Sequence, residues 1–414
     1  MTFIDASKLL RALCLVMFYG LSNKPAIAMD SAKIGQSVEF PMPQMVSYQT
    51  QFWYQIFSRY TSSQAVIHDV VYPNIIIDVI DFQAFAKRYN GGQAFSRKQR
   101  REIAERYQKR YEEAIVRIRQ EGPKQAARHA MEKRVLSVYS HHPEGIKYLL
   151  KGEVGLRYQT GLADEFARAA RRAQSYLPYM ERIFRRHQVP TELTRIAFVE
   201  SMFNESALSK VGASGIWQFM PATAKQFMLV NHQIDERNSP IKATEAAARL
   251  LASNYKRLKT WPLAITAYNH GAGGMSRAVR TIGTRDLGEI IKNYQSNSFG
   301  FASRNFYAEF LAARAVYETR YDHRYQPSPN PLNISNIKLT QPVSIHQLVA
   351  YTPLDEETIK RYNGCLSPKL FKHQRYQLLP RDFELIVPIN LAHDVRAAMQ
   401  RIIVSQNHRQ GNRS

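Results

Sequence analysis

Residues 198–224 read FVESMFNESALSKVGASGIWQFMPATA, and one carboxylate in this stretch governs the reading of the chain. Leu193, Ile196, Ala197 and Glu200 fall at helical spacing on a single face. Glu200 therefore stands at the end of an apolar stripe, where a charge is costly unless compensated and where burial raises a carboxyl pKa. Spacing alone leaves two readings open. Glu200 is either a helix-end acid paired with Arg195 or Lys210, or a proton donor kept protonated by Phe198, Phe203, Ile216 and the carbonyl end of its own helix.

The segment after it bears on that choice. In GASGIWQFMPATA, 212–224, Gly212 and Gly215 allow backbone to approach a ligand closely. Gln218 offers both a donor and an acceptor to hydroxyl or acetamido groups. Trp217 is either a flat apolar face for a sugar ring or plain core. Working outward, residues 162–186 form an amphipathic stretch with Phe166, Ala170, Ala173, Leu177, Met180 and Phe184 on one side. Pro190 suits the first turn of a new helix, Asn204, Gly212 and Gly215 break the pattern, and Pro221 restarts it. Further helices are expected at 243–258, 262–269 and 302–320. Almost nothing between 160 and 320 alternates with period two, so this segment reads as all-α.

The flanks differ in texture. Residues 29–50 are polar with Pro41 and Pro43, and no regular structure is expected there. From about 51 to 150 the chain reads as helical. Its stretch SRKQRREIAERYQKRYEEAIVRIR, 96–119, is a solvated helix face or a contact surface for an acidic polymer, with pairs four apart such as Glu102 and Arg106. PSPNPLNISN, 327–336, reads as a linker. Beyond it, Pro342 to Ser344, LVAYT, DEETIKRYNG and FELIVP suggest a small βααβ unit.

Bulk properties narrow the setting. The chain has 414 residues and a formal net charge of +23, which favours a polyanionic partner without choosing among nucleic acid, membrane and acidic polysaccharide. Lys8 and Arg11 precede the apolar run ALCLVMFYGL, and Ala26-Ile27-Ala28 closes it, as in a secretory signal peptide. The export to the periplasm that this leader predicts argues against nucleic acid as the partner. Cys14 lies in that leader, which leaves Cys365 alone in the mature chain and excludes an intramolecular disulfide or a cysteine-based metal site. No later segment has the length and purity of a transmembrane span.

Glu200-Ser201, GASGIWQFMPATA and AYNHGAG at 267–273, in that order and spacing, resemble the catalytic domain of lytic murein transglycosylases, the group related to goose-type lysozyme. The resemblance covers roughly 160–325. It implies a mainly α protein with a lysozyme-like all-α catalytic domain, preceded by a helical region and followed by a divergent copy of the LysM modules found in one subgroup. In that module, Ser344-Ile345-His346 stands where Gly-Asp-Thr is usual. The implied organisation is a leader at 1–28, a helical region of unknown role at 29–155, the catalytic domain at 156–326, a linker at 327–340, the LysM-like module at 341–392 and a basic tail at 393–414.

Residue roles follow from the same resemblance. Glu200 matches the single catalytic acid/base and Ser201 the serine after it. Ser209 matches a serine that helps hold the acetamido group, and Gln218 and Met220 line subsites. Tyr268 and Asn269 match the Tyr-Asn pair, with Tyr268 orienting Glu200. The family's late tyrosine stands two residues after an arginine. Here Phe306 holds that place after Arg304, and Tyr307 is taken as the substitute. The implied substrate is peptidoglycan, with proteins of the cell-wall machinery as candidate partners and no metal or cofactor. With no second carboxylate in the three motifs, an intramolecular route is expected that leaves 1,6-anhydro-muramoyl ends. A hydrolytic goose-type muramidase and an inactive wall-binding scaffold are the alternatives.

Overall fold

The computed structural model of the chain describes residues 37–321 and 332–400. The leader expected over 1–28, linker residues 327–331 and the tail beyond 400 lie outside them. Contacts divide the chain into two units, one comprising residues up to 168 and 254–322, the other 169–253 and 323 onward. The division falls inside the helices Ala163–Arg186 and Pro240–Leu258, not at the expected border of 155 and 156. Among the described residues no helix is long and apolar enough to cross a membrane.

The first unit holds an antiparallel sheet that the helical reading of 51–150 missed. Strands β1 (Gln64–Asp69), β2 (Ile76–Asp81) and β3 (Leu156–Thr160) lie in the order β2-β1-β3, with Val66 opposite Val79 and Ile67 opposite Tyr158. Their β-branched runs, AVI and IIIDVI, are short and apolar on both faces, and periodicity cannot separate such runs from buried helix. The helix Arg97–Glu121 packs beneath the sheet, opened by a Ser96–Gln99 capping box and closed at Gly122. Arg117 on it reaches back to the buried Glu132.

Residues 44–50 also depart from expectation. They open the helix Gln44–Ser58, which packs along the helix Phe301–Arg320. Trp53 Nε1 donates to Asn305 Oδ1 at 3.0 Å, and Phe40 meets Phe310 at 5.5 Å between ring centroids. His68 at the end of β1 is fully enclosed against Phe52 and Phe301, and burial lowers its pKa to about 4. The helices Trp261–His270, Ala272–Ile282 and Leu287–Asn293 complete this unit. Every helix expected between 160 and 320 is present, and the only bridges outside helices there are isolated ones.

The second unit is built around Phe184 and Trp217, which stack at 5.6 Å and 17°. It also contains the C-terminal βααβ arrangement. β4 (Ile334–Lys338) pairs antiparallel with β7 (Glu384–Pro388) and β5 (Val343–Ser344) with β6 (Leu378–Leu379), and the helices Ile345–Tyr351 and Glu356–Tyr362 lie between the outer strands in sequence. The first strand thus comes from residues assigned to the linker. Ser344 is the N-cap of its helix, in a capping box with Gln347. Residues 392–400 are helical, and Ala392, Val395 and Met399 sit in the module's core, so the tail assigned from 393 begins as packed structure.

Candidate active site

Glu200 lies in the last turn of the helix Ile196–Ser201, after the buried residues Ile196, Ala197 and Phe198. It is itself half-buried. Two successive left-handed residues, Met202 and Phe203, end the helix at φ 52° and 55°. Neither is a glycine, so each carries a strain on the order of 1 kcal/mol. Phe203 N donates to Ala197 O and Met202 N to Phe198 O, both at 3.2 Å, so the two left-handed residues satisfy carbonyls of the last turn. Phe203 then packs edge-on against Phe198 at 4.5 Å. Arg172 Nη2 donates to Met202 O at 2.7 Å, and Tyr176 hydroxyl to Glu205 at 2.7 Å, so the long helix before Pro190 grips both sides of this turn. Arg195, one candidate partner for Glu200, is engaged with Glu181.

The serine after Glu200 joins it to the next motif. Ser201 Oγ donates to Ile216 O at 2.8 Å and accepts from Asn204 N at 3.2 Å. Ser209 Oγ accepts from Ala213 N at 2.8 Å, and the two residues are also joined main chain to main chain. Gln218 is left-handed at φ 47°, and its side-chain amide donates to Ala207 O and Gly215 O. Both amide hydrogens therefore brace the loop, and the carbonyl oxygen is the atom left for a ligand. Met220 is 41% exposed, and Leu208 and Val211 on the same loop are more so. Trp217 is 0% exposed, with Nε1 donating to Thr244 Oγ1 at 2.9 Å. It is core, and the sugar-platform reading of it fails.

Glu200, Ser201, Ser209, Gln218 and Met220 belong to the second unit, whereas Tyr268, Asn269 and Tyr307 belong to the first. In the first unit, Tyr268 and Asn269 occupy the last turn of Trp261–His270. Asn269 is exposed and accepts from Ser303 Oγ at 2.9 Å. Tyr268 lies parallel to Phe306, 6.3 Å between centroids and 5° between planes. Tyr307 is fully buried, and its hydroxyl donates to Pro41 O at 2.9 Å. Arg304 is a staple whose guanidinium donates to the carbonyls of Ile291, Tyr294 and Phe299.

Two features escaped the sequence reading. Glu236 and Arg237, in the short turn before the helix Pro240–Leu258, are each 8% exposed. The only signal was an acidic residue two before an arginine, which is too common to choose. The other is Glu309, one turn after Phe306 and half-buried. Desolvation pushes its carboxyl up from 4.5 to about 8. A raised acid pKa means that the folded chain holds a proton the unfolded chain has lost, so this group's contribution falls as pH rises from about 4.5 to 8. Glu309→Gln should therefore leave stability near pH 4.5 unchanged and raise it at pH 8 by about 1–3 kcal/mol, the partial exposure of the side chain reducing the full value. Urea midpoints of both proteins at the two pH values check this; a pH-independent difference would refute it.

Alongside this arrangement, a half-buried glutamate at a helix end braced against a glycine-containing loop, residues 180–291 match the family model described as Transglycosylase SLT domain. The match includes every motif residue up to Asn269 and stops short of Phe306 and Tyr307. The chain is similar to membrane-bound lytic murein transglycosylase D of Escherichia coli (strain K12), 23% identical over 242 residues, or 57% of this chain and 53% of that protein. It is also similar to a putative tributyltin chloride resistance protein of Alteromonas sp. (strain M-1), 38% identical over 113 residues, or 27% of this chain and 55% of that one. The chain thus spans about half the length of the curated relatives it matches.

Proposed function

We propose that the chain is a peptidoglycan lytic transglycosylase that cleaves the MurNAc-β-1,4-GlcNAc bond without water. The observation that carries this reading is the Ser201–Ile216 bond, which fixes Glu200 beside a loop with an accessible Met220 and a free Gln218 carbonyl. Glu200 protonates the glycosidic oxygen as the C1–O bond breaks, and the substrate's own acetamido group stabilises the cationic C1. Glu200, now a carboxylate, takes the proton from the C6 hydroxyl, whose oxygen closes on C1. The products are a 1,6-anhydro-MurNAc end and a free GlcNAc hydroxyl. Ser209 and Gln218 serve the acetamido group, and Tyr268 and Asn269 the acid.

Phe306, not Tyr307, is the better candidate for the late aromatic position. Phe306 lies against Tyr268, whereas the Tyr307 hydroxyl is occupied by Pro41. The C-terminal module is LysM-like on its βααβ order and its paired outer strands. Murein is the polymer that the name of the Escherichia coli relative specifies, and it accounts for the charge of +23, because peptide stems carry carboxylates. A wall enzyme also suits the exported, periplasmic location expected from the leader.

Digestion of purified murein followed by mass spectrometry tests the reading. Anhydro ends are expected. Reducing ends, heavier by one water, would make the protein a muramidase of the goose-lysozyme kind. No release of fragments, with sacculus binding retained, would make it a wall-binding scaffold.

A further inference from the structure

Arg237 is buried on a loop with no assigned role, and every polar group of its side chain points toward main chain or one carboxylate. Its Nη1 donates to Gly212 O at 2.7 Å and to Phe219 O at 3.1 Å, the two ends of the segment that holds Gln218. Nε and Nη2 bind Asp235 at 2.9 and 2.7 Å, a bidentate pair that fixes the plane of the guanidinium. Its carbonyl lies where a Cβ on Gly215 would come within 1.9 Å, and Gly215 sits at φ +78°, so only glycine serves there. One residue on, Asn238 Oδ1 accepts from Ser214 Oγ at 2.6 Å. The segment thus closed presents Ile216 O to Ser201, the neighbour of Glu200.

The other side of the same loop is fastened to the C-terminal module. Ile234 is 1% exposed and belongs to the module's core beside Leu366 and Val387. Ile234 and Leu366 form an antiparallel bridge, Asp235 N donates to Cys365 O at 2.8 Å, and Ser367 N donates to Gln233 O at 2.8 Å. Lys242 pairs with Glu384 on β7 at 2.9 Å. Asp235 is therefore held by the module through its amide while its carboxylate holds Arg237.

We infer that Arg237 is a positioning residue for Glu200, and that the C-terminal module sets it through the loop 229–242. This rests on the transglycosylase reading for the role of Glu200. The path runs from Cys365 and Leu366 through Asp235 and Arg237 to the carbonyls of Gly212 and Phe219, then through Ile216 to Ser201. Lysine cannot replace the arginine, because one ammonium cannot span two carbonyls and a bidentate carboxylate in a fixed plane. On this account the module is a brace for the catalytic loop in addition to any wall contact it makes.

Three variants test the inference in the full-length protein. Arg237→Ala and Arg237→Lys should each lower murein turnover by about 10²-fold, the range for misplaced acid–base groups, with sacculus binding within about twofold of wild type. Millimolar guanidinium should restore Arg237→Ala turnover at least about tenfold, which a merely damaged fold would not allow. Ile234→Asp, which loosens the module side alone, should speed hydrogen–deuterium exchange across 200–219. Wild-type turnover in both Arg237 variants would overturn the inference, as would unchanged exchange in Ile234→Asp. If the wild type releases no murein fragments, the transglycosylase reading fails, and the exchange result still decides the coupling.

Discussion

Glu200→Gln is expected to lower the release of soluble fragments from murein by at least about 10³-fold while leaving sacculus binding and thermal unfolding close to wild type. General acid–base assistance by one positioned group is worth roughly 10²–10⁴. In the proposed mechanism one carboxyl acts twice in each turnover, as acid at the leaving oxygen and as base at the C6 hydroxyl, so its loss falls toward the upper end. Glutamine keeps the shape and has no proton to give at working pH. The helix is ended by the backbone of Met202 and Phe203, the loop is joined through the Ser201 hydroxyl, and Arg172 and Gln218 brace the turn and the loop, all of which Glu200→Gln leaves in place. Loss of activity without loss of fold is therefore the specific outcome. Residual turnover within about tenfold of wild type would transfer the acid role to another group and remove Glu200 from the mechanism.

The helical segments were legible because they carry their own boundaries. Residues 162–186 show an apolar stripe and 302–320 a compact apolar face, and both are helices within a residue of the expected ends. The motifs were legible for the same reason, since their glycines sit where the backbone needs them, Gly215 at φ +78° above all. What failed was anything decided by a distant partner. β1 and β2 are strands because β3, some ninety residues later, pairs with β1. Residues 44–50 look polar, yet Gln49 and Thr50 are buried there, Thr50 Oγ1 bonding back to Val46 O. Trp217 could face a sugar or the core until Phe184 and Thr244 are seen to enclose it. Phe306 and Tyr307 are adjacent on one helix and point to different neighbours, which no single sequence can rank. Arg237 is the clearest case: its five donors suit many roles, and only the carbonyls of Gly212 and Phe219 specify one.

A fragment beginning at residue 156, the border that motif spacing suggests, is expected not to fold. It would lack the helix Gln44–Ser58 and the residues before it, which cover one side of Phe301–Arg320. Phe40, Val46, Phe52, Trp53, Ile56 and Phe57 are all at most 7% exposed in the intact chain. Each large apolar side chain removed from such a contact forfeits about 1.5–3 kcal/mol, so the loss of six, about 9–18 kcal/mol, is as large as the roughly 5–15 kcal/mol by which a domain is stable. Polar loss adds to this, because Asn305 and Tyr307 would lose Trp53 and Pro41 as partners on a face that is otherwise apolar. β3 would also be left without β1, its only strand neighbour in the sheet. A fragment starting at residue 37 keeps all of these contacts and should unfold cooperatively. Circular dichroism melts of the two fragments compare them directly. A soluble, cooperatively melting 156 fragment would show that the N-terminal helix is an accessory and not part of this unit's core.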